Sequence, residues 1–295
     1  MGSTAYNFLV RRTLRIFPAY YFYLFILLAL PTGGHDVRTH AGTYFFYLSN
    51  YRTFASQTWD VLTSHLWTLA VEEQFYIAWI WVILLIPDRF LPRVFYLIIA
   101  GSVAFRVLFY LSHPGSRTEV VPLVILTPSC MDSFALGGLL AYQQYYRKTN
   151  ARLLTGIFLA WLPVWIVLLV TRQRLVLLGV DRVFVSIGTM ALINGATRGR
   201  GYTNRFGAFL QHRWVTYLGK ISYGIYLYHL LLPYVFWKLY NAHIAYGPLT
   251  IILVNPVVSF LLYFGLTVAF ATGSWYLMEQ PLSRLKRYFS YGVSR

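Results

Sequence analysis

The sequence predicts an all-α fold: a polytopic bundle of transmembrane helices with about eight spans and both termini cytoplasmic. Three observations carry this. Of the 295 residues, 58% are hydrophobic and 19% aromatic, and 12% are charged, against the roughly 25% of an ordinary soluble domain. The apolar residues gather in eight runs, most of them close to the ~20 residues that take a helix across ~30 Å of hydrocarbon. The basic residues divide unevenly between alternate connections: with both termini inside, 17 of the 25 Lys and Arg fall at inside ends and 6 on outside loops, the bias expected of cytoplasmic segments.

The runs are 17–30, 66–86, 94–111, 123–142, 153–171, 176–197, 216–239 and 256–278. The first is the shortest, and Arg15 and Ile16 extend it. The segment Met1–Arg15 is polar and basic, and no small-residue cleavage site follows the first run, so that run is expected to be an uncleaved anchor. The long loop 31–65 should face outside. Its apolar middle, Ala41–Leu48, is too short to span and would lie at the interface or re-enter. The inside connection 198–213 carries Gly199, Gly201, Asn204 and four arginines, and reads as a loop. Asn255 followed by Pro256 reads as a cap and first position of the last helix, which should run about 34 Å to Glu279 and stop at Pro281. One domain is expected over 1–288, with a short basic tail at 289–295.

The formal net charge of +16 would suit a nucleic-acid partner if it were gathered on one domain. Here it is dealt out between apolar runs, so the bilayer is the expected partner and nucleic acid is not. Cys130 is the only cysteine, which excludes an intrachain disulfide.

Ionisable groups at membrane depth cost a few kcal/mol each and mark functional sites. One block is Ser64-His65-Leu66-Trp67-Thr68-Leu69-Ala70-Val71-Glu72-Glu73-Gln74-Phe75-Tyr76. On a helix, His65 and Glu72 would share a face about 10 Å apart along the axis, with Glu73 about 100° round from Glu72. A carboxylate in low dielectric has a raised pKa and can shuttle protons near neutrality. Buried polar groups also bridge helices, but two adjacent glutamates are a costly way to do so. A second block, Ile221-Ser222-Tyr223-Gly224-Ile225-Tyr226-Leu227-Tyr228-His229, sets Ser222, Tyr226 and His229 in one polar stripe. A membrane histidine packs as readily as it catalyses, and Ser222 lacks the Gly-x-Ser-x-Gly elbow of serine hydrolases. In the third, Arg11-Arg12-Thr13-Leu14-Arg15, Arg12 and Arg15 share a face. Guanidinium pairs suit phosphates, although topology alone also places arginines at such an end. Asp132, mid-span, and Glu279, at the end of the last helix, complete the candidates.

Taken together the blocks resemble the acyltransferase-3 family of membrane proteins, which O-acylate carbohydrates. The matches are Arg12-Thr-Leu-Arg15-Ile-Phe-Pro18-Ala-Tyr20, His65-Leu-Trp67 through Val71-Glu72-Glu73-Gln74-Phe-Tyr76, Asp132 with Gly137-Gly138, Gly219-Lys-Ile-Ser222-Tyr-Gly-Ile-Tyr226-Leu-Tyr-His229, and Glu279-Gln-Pro281, in the family's order and over nearly the whole chain. The resemblance implies a cytoplasmic acyl-CoA donor, usually acetyl-CoA, held by Arg12 and Arg15, with no metal. It also implies a glycan or lipid-linked carbohydrate acceptor presented at the other face of the cell membrane. Glu72 or Glu73, relayed through His65 or His229, would take the acceptor's proton. Trp67, Tyr76, Ser222, Tyr226 and Asp132 are the expected substrate-binding residues. Two departures stand out. Family members usually begin with two further helices, the first carrying an Arg with a His eleven residues on. None of the seven histidines here has Arg or Lys at that distance before it, so the resemblance implies a start just upstream of the family's third helix. Cys130 also stands two residues before Asp132, where many relatives have Arg. The rival expectations are a transporter or flippase of a lipid-linked sugar, which would move substrate without CoA, and an inactive remnant of the enzyme.

Overall fold

The computed structural model of the chain describes residues 2–31, 33–113, 125–146, 148–171, 174–197, 201–243 and 255–290. Among them the regular elements are all helical, as hydrocarbon requires of an open chain: only a helix pairs all its backbone N–H and C=O groups within one segment. In chain order they are α1 (Gly2–Ala29), α2 (His35–Thr39), α3 (Ala41–Phe45), α4 (Ser49–Ser56), α5 (Leu66–Leu85), α6 (Leu91–Ser112), α7 (Thr127–Tyr145), α8 (Ala151–Val170), α9 (Arg174–Thr197), α10 (Arg205–Leu210), α11 (Arg213–Tyr228), α12 (Leu231–His243) and α13 (Pro256–Ser274). A π-helical turn (Trp275–Glu279), α14 (Gln280–Arg284) and a 3₁₀ turn (Leu285–Tyr288) follow. Each of the eight apolar runs is mostly helix over its described residues. Among the described residues four stretches, Leu66–Leu85, Asp88–Ser112, Arg152–Val170 and Pro256–Tyr288, are long and apolar enough by length and composition to cross a membrane. The chain is an all-α integral membrane protein.

Three local expectations are corrected. The run 216–239 is two helices, α11 and α12, broken at His229 and Leu230. The cause is Pro233, which has no N–H to give residue 229 and whose ring would collide with that carbonyl. Starting a new helix at Leu231 puts the proline in a first turn, where no N–H is required. His65 lies in the turn ahead of α5 rather than on it, so helical spacing does not relate it to Glu72. The last helix does not stop at Pro281. Asn255 does cap it, accepting from the N–H of Val257 at 3.0 Å and of Val258 at 3.3 Å. The π turn then widens the helix by one residue, and Pro281 falls in the first turn of α14, where its ring is tolerated. Of the expected tail, 291–295 lies outside the described residues.

The helices gather into two compact units, one of Met1–Ser49, Trp59–Leu66 and Gln211–Arg295, the other of Asn50–Thr58 and Trp67–Leu210. In the first, α1 is the spine. Its tyrosines pin the loop that follows: Tyr20 donates to the Tyr44 carbonyl (2.8 Å), Tyr21 to that of Phe45 (3.0 Å) and Tyr23 to that of Leu62 (2.6 Å). The apolar segment Ala41–Leu48 thereby folds onto α1 as α3, with Tyr44 buried. The Tyr44 hydroxyl contacts Asp36 and Thr63. Burial, and the hydrogen bond to the Asp36 carboxylate, raise the Tyr44 phenol above its ordinary range.

In the second unit α6 packs on α7 and α9, and α8 on α9. Lipid is as apolar as leucine, so close packing and hydrogen bonds, not exclusion of water, hold such helices together. Trp79 stacks on Phe95 with ring centroids 5.2 Å apart beside Leu91, Ala135 and Leu139. Gly138 makes room for it, since a Cβ there would stand 2.5 Å from the indole. Arg106 of α6 is 1% exposed and ties three helices. It donates to Asp132 of α7 (2.6 Å), to the Ser129 carbonyl of α7 and to the Gly179 carbonyl of α9 (3.0 Å). Asn50, Gln74 and Thr127 close a second polar ring, with Gln74 Nε2 donating to Asn50 (3.0 Å), Asn50 Nδ2 to Thr127 (3.0 Å) and Thr127 to Gln74.

Candidate active site

Helix α11 is built with two faces. Ile221, Gly224, Leu227 and Tyr228 are buried, a three-to-four-residue spacing that lays one side of the helix against α13. Gly224 permits the approach, since a Cβ there would lie 3.1 Å from that of Ala271. On the packed side Tyr228 meets Ser274 at 3.0 Å, and Ser274 donates to the buried carboxylate of Glu279 at 2.9 Å. The other face, Leu218, Gly219, Ser222, Ile225, Tyr226 and His229, lines with Phe264 an open and largely apolar cavity of about 530 Å³.

His229 sits at the helix break forced by Pro233. Its Nδ1 is 2.6 Å from the Tyr226 carbonyl. A carbonyl can only accept, so Nδ1 carries the hydrogen and Nε2 keeps the lone pair. The same logic fixes His65, whose Nε2 lies 3.1 Å from the Leu227 carbonyl and must donate, leaving the lone pair on Nδ1. The two imidazole centroids are 5.0 Å apart, and that of His65 is 5.4 Å from the Tyr226 ring and 5.6 Å from the Tyr23 ring. Tyr226 in turn donates to the His65 carbonyl at 2.8 Å. His65 is 8% exposed. Burial, then the neighbouring His229, push its pKa down to about 4 from an ordinary 6.5. It is therefore neutral at physiological pH. The unfolded chain takes up this proton as pH falls through about 6.5 and the folded one at about 4, so His65 withdraws stability across that acid window.

Of the expected site residues, the first unit brings together His65, Ser222, Tyr226 and His229. Ser222 spends its hydroxyl on the Gly219 carbonyl at 2.9 Å. Arg12 and Arg15 lie on α1, half-buried and exposed, and the Arg12 guanidinium stands 5.8 Å from the Phe8 ring. In the second unit Trp67, Glu72 and Tyr76 are half-buried on α5, and Glu73 is 7% exposed. Asp132 is fully buried against Arg106. Arg106 had a signal in the sequence, as an arginine within an apolar run. The ring of Asn50, Gln74 and Thr127 had none, since it joins residues up to 77 positions apart. Among the described residues no three His, Cys, Asp or Glu side chains gather to hold a metal ion.

Residues 2–276 match the model of the family's acyltransferase domain. Nodulation protein 10 of Rhizobium leguminosarum bv. viciae is 27% identical over 312 aligned positions, which take in 97% of this chain and 77% of that protein. The O-acetyltransferase OatA of Staphylococcus aureus (strain NCTC 8325 / PS 47) is 24% identical over 304 positions, 94% of this chain and 47% of OatA, so the chain spans about half the length of that relative. No solved structure matches it. With the family's domain model covering almost its whole length, the chain belongs to the acyltransferase-3 family.

Proposed function

We propose that this acyltransferase moves an acetyl group from acetyl-CoA to a carbohydrate hydroxyl, on a glycan or lipid-linked sugar, at the cell membrane. The observation that supports this most is His229: a tautomer fixed by a backbone carbonyl, on the wall of an open cavity. A base oriented by a third group is what hydroxyl activation requires. His229 Nε2 takes the acceptor's proton as its oxygen attacks the thioester carbonyl. The tetrahedral intermediate then expels the CoA thiolate, which recovers the proton, giving the ester and free CoA. Tyr226 and Ser222 border the acceptor. On α5, Trp67 and Tyr76 offer aromatic surface for a sugar, and Glu72 or Glu73 a second proton acceptor. Asp132, held by Arg106, supports the fold around them rather than touching substrate.

Arg12 and Arg15 hold the donor's phosphates. Each charge-assisted contact contributes about 1.5–3 kcal/mol, so replacing both by alanine is expected to weaken acetyl-CoA binding by roughly tenfold or more. Lysines at the same positions should recover only part of it, because an ammonium lacks the planar fork. Isothermal titration of the solubilised protein measures this, alongside transfer of labelled acetyl to a glycan acceptor. Unchanged donor affinity in a well-folded double variant would remove the donor site from α1. Sugar movement without CoA dependence would make the protein a flippase.

The orientation follows the charge bias, with both termini cytoplasmic. A cysteine placed at Thr39 is expected to react with an impermeant reagent in intact cells, and one at Thr203 only after lysis. Gly201 is unsuitable for the label, because its φ of +69° disfavours a side chain. The opposite labelling pattern overturns the orientation.

A further inference from the structure

Where a helix ends, its last four carbonyls lose the N–H groups of the following turn. At the end of α11 two of these carbonyls are met by imidazoles. That of Tyr226 takes the Nδ1 hydrogen of His229 at 2.6 Å, and that of Leu227 takes the Nε2 hydrogen of His65 at 3.1 Å. His65 adds a second link, because its own carbonyl accepts from the Tyr226 hydroxyl at 2.8 Å. His65 therefore grips Leu227 with its side chain and Tyr226 with its main chain, and Tyr226 is the residue that orients His229. Besides the contact of their rings at 5.0 Å, the two histidines are joined through the backbone of this last turn.

The turn that carries His65 is itself fastened. The Asp60 carboxylate accepts from the N–H groups of Leu62 at 3.0 Å and Thr63 at 3.2 Å, an Asx turn. Tyr23 of α1 donates to the Leu62 carbonyl at 2.6 Å, and the N–H of Leu66 closes on the Thr63 carbonyl at 3.0 Å. His65 is thus buried on a held turn, whereas His229 is exposed on the cavity wall. One ring of the pair is fixed and the other is open to a ligand. A main-chain carbonyl stores no proton, so the bond from His65 to Leu227 orients rather than relays. With His65 uncharged, no like charge from it opposes a proton arriving on His229.

We infer that His65 is a positioning residue for His229: through its ring and its carbonyl it holds the last turn of α11, and with it the Tyr226 carbonyl that fixes the base. This rests on the reading of His229 as the group that takes the acceptor's proton. His229 touches the reacting atoms, and His65 acts through it. Such a role has a measurable size, because a reacting group displaced by about 1 Å costs up to about 10²-fold in rate.

Transfer from labelled acetyl-CoA is measured on the full chain in membranes, at matched levels of folded protein. His65→Leu removes the donor, whereas His65→Gln keeps an N–H near the reach of Nε2 but has no basic nitrogen. His65→Leu is expected to lower kcat about ten- to a hundredfold with KM for acetyl-CoA unchanged, and His65→Gln to recover most of that rate. In a His229→Ala background His65→Leu should add almost nothing, because the ring it acts through is gone. Nitrogen NMR of histidine-labelled protein gives a readout free of turnover. His229 is expected to keep its Nδ1–H tautomer in the parent and in His65→Gln, and to show both tautomers in His65→Leu. Should His65→Leu not fold, His65→Met takes its place, lacking the donor on a more adaptable side chain. Glutamine as slow as leucine would make His65 a proton carrier, and full additivity with His229→Ala would make it independent of the base. Either result overturns the inference, as does a leucine variant within a few-fold of the parent, or a slow one whose His229 tautomer has not moved. If His229→Ala itself transfers within a few-fold of the parent, the reading of His229 falls and the inference falls with it.

Discussion

Replacing His229 with alanine is expected to slow acetyl transfer by about 10²–10⁴-fold, with acetyl-CoA affinity and thermal unfolding unchanged. The size of the effect follows from the chemistry assigned to the ring. A sugar hydroxyl is a poor nucleophile until a base removes its proton, and the ring on the cavity wall has its Nδ1 hydrogen committed to the Tyr226 carbonyl. Its remaining nitrogen is presented as an acceptor without a rotamer or tautomer search. Glutamine at this position keeps the volume and a donor but no basic nitrogen, so it should be as slow as alanine. Tyr226→Phe removes the hydroxyl bonded to the His65 carbonyl but keeps the carbonyl that orients His229, and a much smaller loss is expected. Initial rates with labelled acetyl-CoA, at matched protein levels in membranes, measure all three. A His229→Ala rate within a few-fold of the parent would move the proton transfer to Glu72 or Glu73 on α5.

Removing Arg106 alone is expected to destabilise the second unit by about 3–5 kcal/mol. Asp132 would then be left 0% exposed, with the N–H of Ser133 at 2.9 Å among its remaining contacts, and an uncompensated buried charge costs more than a pair does. Arg106→Leu with Asp132→Leu should recover most of the loss, because two well-packed apolar side chains require no solvation. Asp132→Leu alone should fall between them, since the guanidinium keeps the carbonyls of Ser129 and Gly179. Thermal unfolding of the solubilised variants gives the ranking. A double variant no more stable than Arg106→Leu would show that the pair is not what joins α6, α7 and α9.

The helical class and the positions of the apolar runs were legible in the sequence because bilayer thickness dictates run length. The cap at Asn255 was legible for a local reason too: it needs only its own hydroxyl-free amide and the next two N–H groups. The stripe of Ser222, Tyr226 and His229 also emerged from spacing alone, and it lines one cavity. What escaped was set at longer range. The break at His229 depends on Pro233, four residues on, and the passage of the last helix through Pro281 depends on a π turn that begins six residues earlier. The partnership of His65 with Leu227 and Tyr226 joins residues more than 160 positions apart. No periodicity encodes such a contact. Nor does composition mark an arginine, such as Arg11, that binds main chain.

The π turn at Trp275–Glu279 also fixes a rotational offset. One residue inserted into an α-helix turns everything beyond it by about 100°. The side chains of 280–288 therefore point in directions that an uninterrupted α-helix from Pro256 would not have given them. The Lys286 carbonyl that receives Arg11 lies on this re-phased stretch. The end of the chain is clocked onto α1 by a single supernumerary residue, and its alignment is sensitive to the length of this turn more than to the identity of most side chains within it.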